Sequence, residues 1–120
     1  MDHEAKMHAN LEKVFGERDA ARRLDAIRAI YAEAADLHEP LASAKGHAAI
    51  NSAVTELLSQ IPANFSFSAV RPALSLNHIA RLQWQLSGPD GTVAATGTDV
   101  AHFEDGRIRA LYVFIDQKGT

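Results

Sequence analysis

The residue that most needs a chemical explanation is Asp99, in the run Thr92-Val-Ala-Ala-Thr-Gly-Thr-Asp-Val-Ala-His-Phe103. Side chains two apart on a strand share a face, which sets this carboxylate beside Val93, Ala95, Ala101 and Phe103. In that company a charged carboxylate loses its hydration and must be hydrogen-bonded, paired or protonated. A carboxyl that keeps its proton near neutral pH can donate or shuttle it, which is general acid–base work. The plainer alternatives are an ion pair with Arg81 or Arg109, or a position at a rim where the side chain reaches water. The pattern leaves both open.

Two more residues combine an apolar body with a polar tip. Tyr31 and Trp84 fall on apolar faces, and each has a handle that could meet a ligand, although packing is the commoner role for such rings. Six histidines raise the question of a metal. His3 and His8 are five apart in an end expected to fray, and His38, His47, His78 and His102 show no two-on-one-face spacing, so no metal is expected. The lack of cysteine removes disulfides, thiolate ligands and a thiol nucleophile. There is no Gly-x-Ser-x-Gly elbow, phosphate-cradling loop or dinucleotide fingerprint, so no cofactor is expected either.

The elements that must position these groups follow from periodicity. Met7, Leu11, Val14 and Phe15 predict a short first helix ending near Gly16. Asp19 can cap a second, with Leu24, Ile27, Ile30, Tyr31 and Ala34 on one stripe. Asp36 to Pro40 is expected to be an edge strand at most, because Pro40 cannot donate to a ladder and holds Glu39 extended. Ser43 to Gly46 turns the chain, and Ile50, Val54, Leu57, Leu58 and Ile61 predict a third helix, stopped by Pro62. From Phe65 the period drops to two: Phe65, Phe67 and Ala69, then Ala80, Leu82, Trp84 and Leu86. The final hairpin turns at Asp105-Gly106. A two-residue turn would put Ala110, Tyr112 and Phe114 on the face of Asp99, and a bulged three-residue turn would put Leu111, Val113 and Ile115 there. Helices first and strands afterwards predict an α+β fold: a curved four-stranded antiparallel meander with a short edge strand, wrapped by three N-terminal helices into a cone with an apolar pocket. A sheet apolar on both faces also predicts a homodimer through the convex side.

The totals agree with one domain spanning 1–120. Apolar residues make up 47% and charged residues 22%, and the net charge is -3 with no basic stripe, so neither nucleic acid nor an anionic membrane is an expected partner. The polar N-terminus and the lack of an apolar run near about 20 residues predict a cytoplasmic protein.

The segment Ile30-Tyr-Ala-Glu-Ala-Ala-Asp-Leu-His-Glu-Pro40, the helix start Gly46-His-Ala-Ala-Ile50, and Gly97-Thr-Asp-Val-Ala-His-Phe-Glu-Asp-Gly-Arg-Ile108 resemble the nuclear transport factor two-like superfamily. Within it the chain is most similar to SnoaL-like and ketosteroid-isomerase-like domains, over roughly Leu11 to Asp116. The resemblance implies a curved sheet around an apolar pocket and, usually, a dimer. Its members include isomerases, cyclases, dehydratases, epoxide hydrolases and proteins without a known reaction. It also implies roles. The carboxylate before the proline, here Glu39, falls where the family has a general base, though the bland reading is a solvated residue at a strand edge. Asp99 falls where a second acid donates to an enolate oxygen. A tyrosine expected on the first helix is here Phe15, and losing one such donor typically costs about 10²- to 10³-fold in rate. That separates steroid isomerisation from the other proton transfers the acid pair allows. Phe15, Leu82 and Leu86 are expected to line the pocket with Tyr31 and Trp84. The function expected is binding of an apolar or mixed-polarity organic molecule, with cofactor-independent isomerase, cyclase or dehydratase chemistry by the two acids. The alternative is a ligand-binding or dimeric assembly module without a reaction.

Overall fold

In the computed structural model, which describes residues 2–116, helix α1 (His3–Ala9) runs directly into a π-helical segment, Asn10–Phe15. The rest follows as α2 (Ala20–Ile30), β1 (Tyr31–Glu39), β2 (Ala42–Lys45), α3 (His47–Ser59), β3 (Ser66–Ala69), β4 (Leu74–Leu76), β5 (Ile79–Ser87), β6 (Val93–Glu104) and β7 (Arg107–Ile115). The helix starts are fixed locally. Asp2 caps α1 through Ala5 N, and Asp19 caps α2 through the amides of Ala21 and Arg22. The N-terminal end is therefore packed rather than frayed: Met7 is fully buried and the His3 ring stacks on Phe103 at 4.1 Å.

The sheet is larger than the four-stranded meander expected and is mixed. Its order is β2-β1-β7-β6-β5-β3, with β4 also paired to β5. The difference begins at Tyr31. The stripe Leu24, Ile27, Ile30, Tyr31, Ala34 fits a helix, and alanines favour one, but α2 stops at Ile30 because the following backbone pairs in parallel with β7, Tyr31 opposite Ile108 and Leu37 opposite Leu111. Tertiary pairing overrides local propensity here. β1 is consequently an interior strand, and the edge belongs to β2, which occupies the stretch expected to be only a turn. Pro40 lies just beyond β1, where no ladder amide is needed.

The register of the last hairpin combines both expectations. Glu104 pairs with Arg107 across a two-residue turn in which Asp105 and Gly106 both have positive φ, and Phe103 pairs with Ile108. His102, however, pairs with Ala110, which leaves Arg109 as a bulge and turns Leu111, Val113 and Ile115 to the face of Asp99. A second bulge at Ala94 interrupts β5–β6, and bulges of this kind bend the strand and increase its local twist.

The helices cover the inner face. Ile27 and Ile30 of α2 and Ile50 and Val54 of α3 are buried with Leu37, Leu82, Phe103 and Leu111 of the sheet, each such side chain contributing about 1.5–3 kcal/mol over exposure. Polar fastenings hold α3 in place. The buried Arg23 donates to Asn51 Oδ1 at 2.8 Å and Thr55 Oγ1 at 2.6 Å, and Arg18 satisfies the carbonyl of Leu58 in the last turn of α3 and those of Ile61 and Pro62 just beyond it. Among the described residues no helix is long and apolar enough to cross a membrane.

Candidate functional site

Asp99 stands midway along β6 on the helix-covered face, opposite Leu82 of β5 and Val113 of β7. Its neighbour two residues back is Gly97, which lies directly across from Trp84. A Cβ at position 97 would sit 2.8 Å from Trp84 Cε2 and closer still to Cζ2 and to the Phe114 carbonyl oxygen. The missing side chain lets the indole lie over the β6 backbone, and from there its N–H donates to Asp99 Oδ1 at 2.9 Å. Asp99 is 2% exposed. Burial pushes its carboxyl up to about 7, and the indole hydrogen bond, which favours the anion, offsets part of that rise. The arginine partners considered from sequence are not used: Arg81 and Arg109 are exposed, with Arg81 opposite Val100 on the other face.

Glu39 ends β1 immediately before Pro40 and is half-buried. Burial raises its carboxyl above the ordinary range, and it forms no ion pair among the described residues. A desolvated, unpaired carboxylate is a stronger base than one in water.

The two acids meet at one chamber of about 170 Å³. Leu11 and Phe15 close it from the first helix, Leu57 and Ile61 from α3 and the turn after it. Phe67, Trp84, Leu86 and Val113 form its sheet wall, with Pro40, Ala95 and Ile115 completing the boundary. The rings interlock edge to face, Phe15 to Phe67 at 6.4 Å between centroids and Phe67 to Trp84 at 5.5 Å. Among the described residues Glu39 and Asp99 are the only ionisable side chains in this lining. Such a room can hold an apolar molecule and offer it one basic and one acidic carboxyl, which is the minimum for moving a proton between two of its atoms.

Of the residues expected from sequence, Asp99, Glu39, Phe15, Trp84 and Leu86 are brought together there. Tyr31 and Leu82 are not in the lining. Tyr31 is fully buried and its hydroxyl donates to Asn10 Oδ1 at 2.7 Å, while Leu82 is buried opposite Asp99. Burial, reinforced by the charges of Asp99 and Glu39, keeps the Tyr31 phenol well above its ordinary range and therefore protonated. Asn10 was missed, although its signal is present: it falls at helical spacing within the apolar set Met7, Leu11, Val14. Leu57, Ile61, Phe67 and Val113 were legible as apolar faces but not as walls of this room, since that depends on how α3 crosses the sheet. Among the described residues no group of three histidines or acids is placed to hold a metal ion.

Comparison with known proteins agrees with this geometry at the level of the fold. A family model described as the SnoaL-like domain matches residues 11–111. No protein of curated function matches the chain. Among solved structures, the chain is similar to a candidate isomerase of the SnoaL-like family from Agrobacterium tumefaciens, at 26% identity and a TM-score of 0.87 over 96% of this chain and 97% of that one. It is also similar to a candidate ketosteroid isomerase from Kribbella flavida, at 16% identity and a TM-score of 0.73 over 98% and 79%. A third is a hypothetical protein with a ketosteroid isomerase-like fold from Catenulispora acidiphila, solved in complex with trimethylamine, at 9% identity and a TM-score of 0.73 over 91% and 83%. The last two likenesses speak for the fold alone.

Proposed function

The chain belongs to the SnoaL-like domain family, and from that premise we propose that it binds a small organic carbonyl compound in the chamber and moves a proton on it without a cofactor. The observation that carries this is the lining itself: two acids, both with raised affinity for a proton, in walls that are otherwise apolar. Glu39, as carboxylate, takes a proton from the carbon next to the carbonyl. The C–H electron pair becomes the new C=C bond and the carbonyl pair moves onto oxygen. Asp99, protonated, donates to that oxygen. Glu39 then delivers its proton to another carbon, an isomerisation, or first swaps it with solvent and protonates the same carbon, an exchange. The description of the Agrobacterium protein as an isomerase is consistent with this class.

Phenylacetone in D₂O is a direct test, because each turnover in which the proton on Glu39 exchanges with solvent leaves deuterium beside the carbonyl. We expect wash-in above buffer that falls by about 10²-fold or more in Glu39→Gln. A rate equal to buffer would favour the second reading, a binding module without a reaction. One observation supports that reading: Phe15 reaches the chamber without a hydroxyl to share the oxyanion's charge. The homodimer belongs to the same proposal. Tyr112 and Phe114 stand about half exposed on the convex face, where a second copy would cover them, and a solution mass of one chain at micromolar concentration would remove it.

A further inference from the structure

Glu39 and Pro40, with Leu57 and Ile115, line not only the inner chamber but also a groove of about 270 Å³ that opens outward from it. The two spaces differ in character. The inner one offers rings, aliphatic chains and the Asp99 carboxyl. The outer one adds Glu56 and Gln60 at the exposed end of α3, together with the fully exposed Leu41 at its lip. From this division, and resting on the reading of the chamber given above, we infer that the ligand has two parts: an uncharged head of one ring's size bearing the carbonyl, and a short tail ending in a hydrogen-bond donor.

Size sets the head. A dry cavity of about 150 Å³ holds a benzene molecule, so about 170 Å³ admits one ring with a small substituent and not a fused polycycle. Charge sets the rest. Among the described residues neither space has a lysine, arginine or histidine in its lining, and both have acids, so a carboxylate, phosphate or sulfate on the ligand would be desolvated beside like charge. Arg18 lines a separate depression that shares Phe15 and Phe67 with the chamber, and its guanidinium is already donated to three carbonyls. In the groove the Glu56 carboxylate and the Gln60 carbonyl are acceptors, which favours a hydroxyl, amide or amine at the end of the tail. Glu39 sits where the two spaces join, so the carbon it can reach is the one connecting head to tail.

The chain carries one tryptophan, Trp84, and it lines the inner chamber, so its emission reports occupancy there without a label. Four probes separate the possibilities: phenylacetone, the same ketone with a hydroxyl at the end of a two-carbon extension, phenylacetate, and a steroid enone. The hydroxylated ketone is expected to bind about tenfold more tightly than phenylacetone, and phenylacetate about 100-fold more weakly. The steroid is expected to leave the emission unchanged. Glu56→Ala combined with Gln60→Ala should erase the advantage of the tail while phenylacetone binds as before. Phenylacetate or the steroid binding as well as the ketones would overturn the inference, as would a silent Trp84 with all four at millimolar concentration. Failure of the proton-transfer reading looks different: the ketones bind in this order, yet no deuterium enters them.

Discussion

The indole of Trp84 and the carboxyl of Asp99 lie on adjoining strands, and the indole donates to Asp99 Oδ1 at 2.9 Å across the bare backbone of Gly97. An indole nitrogen can donate but never accept, so Oδ1 is held as the acceptor. A proton carried by Asp99 then resides on the other oxygen. Trp84 thus decides which edge of the acid is free to face a ligand, and is best regarded as a positioning residue.

Replacing Trp84 with Phe keeps a ring against Phe67 and removes the donor together with part of the indole's bulk. Since that hydrogen bond favours the charged carboxyl, the variant should hold its Asp99 proton more tightly, with a pKa above about 7. Carboxyl carbon shifts followed through a pH titration measure it directly. An unchanged or lowered value would mean that the indole does not govern this acid.

The same acid makes the fold sensitive to pH. A carboxyl held at about 7 when folded and near 3.8 when unfolded binds its proton more tightly in the native state, so its contribution to stability is complete below about 3.8 and is lost as the pH rises to 7. At about 1.4 kcal/mol per decade the loss is on the order of 4 kcal/mol. Asp99→Asn, which cannot ionise, should therefore gain on the parent between pH 4 and pH 7 and keep a constant lead above that. Urea unfolding at a series of pH values checks this, and a lead that does not change with pH would contradict it.

Gly97→Ala asks whether the space above β6 is needed. The new methyl group meets the indole and the Phe114 carbonyl oxygen, a backbone atom that cannot swing away. A destabilisation of about 1–3 kcal/mol is expected, together with a red-shifted Trp84 emission as the ring is lifted off the strand. Native stability with unshifted emission would show that the strand gives way instead.

How far these relationships could be read from sequence depends on the range of the contact. The inward face of Asp99 was legible, because two-residue alternation is a local property of β6. Its Trp84 partner was not, since that needs the β5–β6 register as well as the alternation. Glu39 was harder still. Its strand looked like an edge because Pro40 follows it, and its interior place comes from parallel pairing with β7, about 70 residues away in sequence. The helix-like stripe that carried Tyr31 into α2 failed for the same reason: a distant strand claimed the backbone. Asn10 was different, a polar residue in an apolar stripe that local pattern alone could have flagged.

Asn10 and Tyr31 supply the last test, which concerns the support behind the chamber. Both are buried, the Tyr31 hydroxyl donates to Asn10 Oδ1, and Asn10 Nδ2 has no partner among the described residues. Tyr31→Phe would leave Asn10 with both amide atoms unsatisfied, and a buried polar group in that state costs about 1–3 kcal/mol. Asn10→Leu alone would strand the tyrosine hydroxyl in the same way. Making both changes removes donor and acceptor together, so the double variant should be more stable than the sum of the two single losses, by at least about 1 kcal/mol. Strict additivity in chemical unfolding would mean that water already serves these groups. Coupling would show that the pair is a closed polar contact set into the apolar stripe, holding the π-helical turn of the first helix against the start of β1.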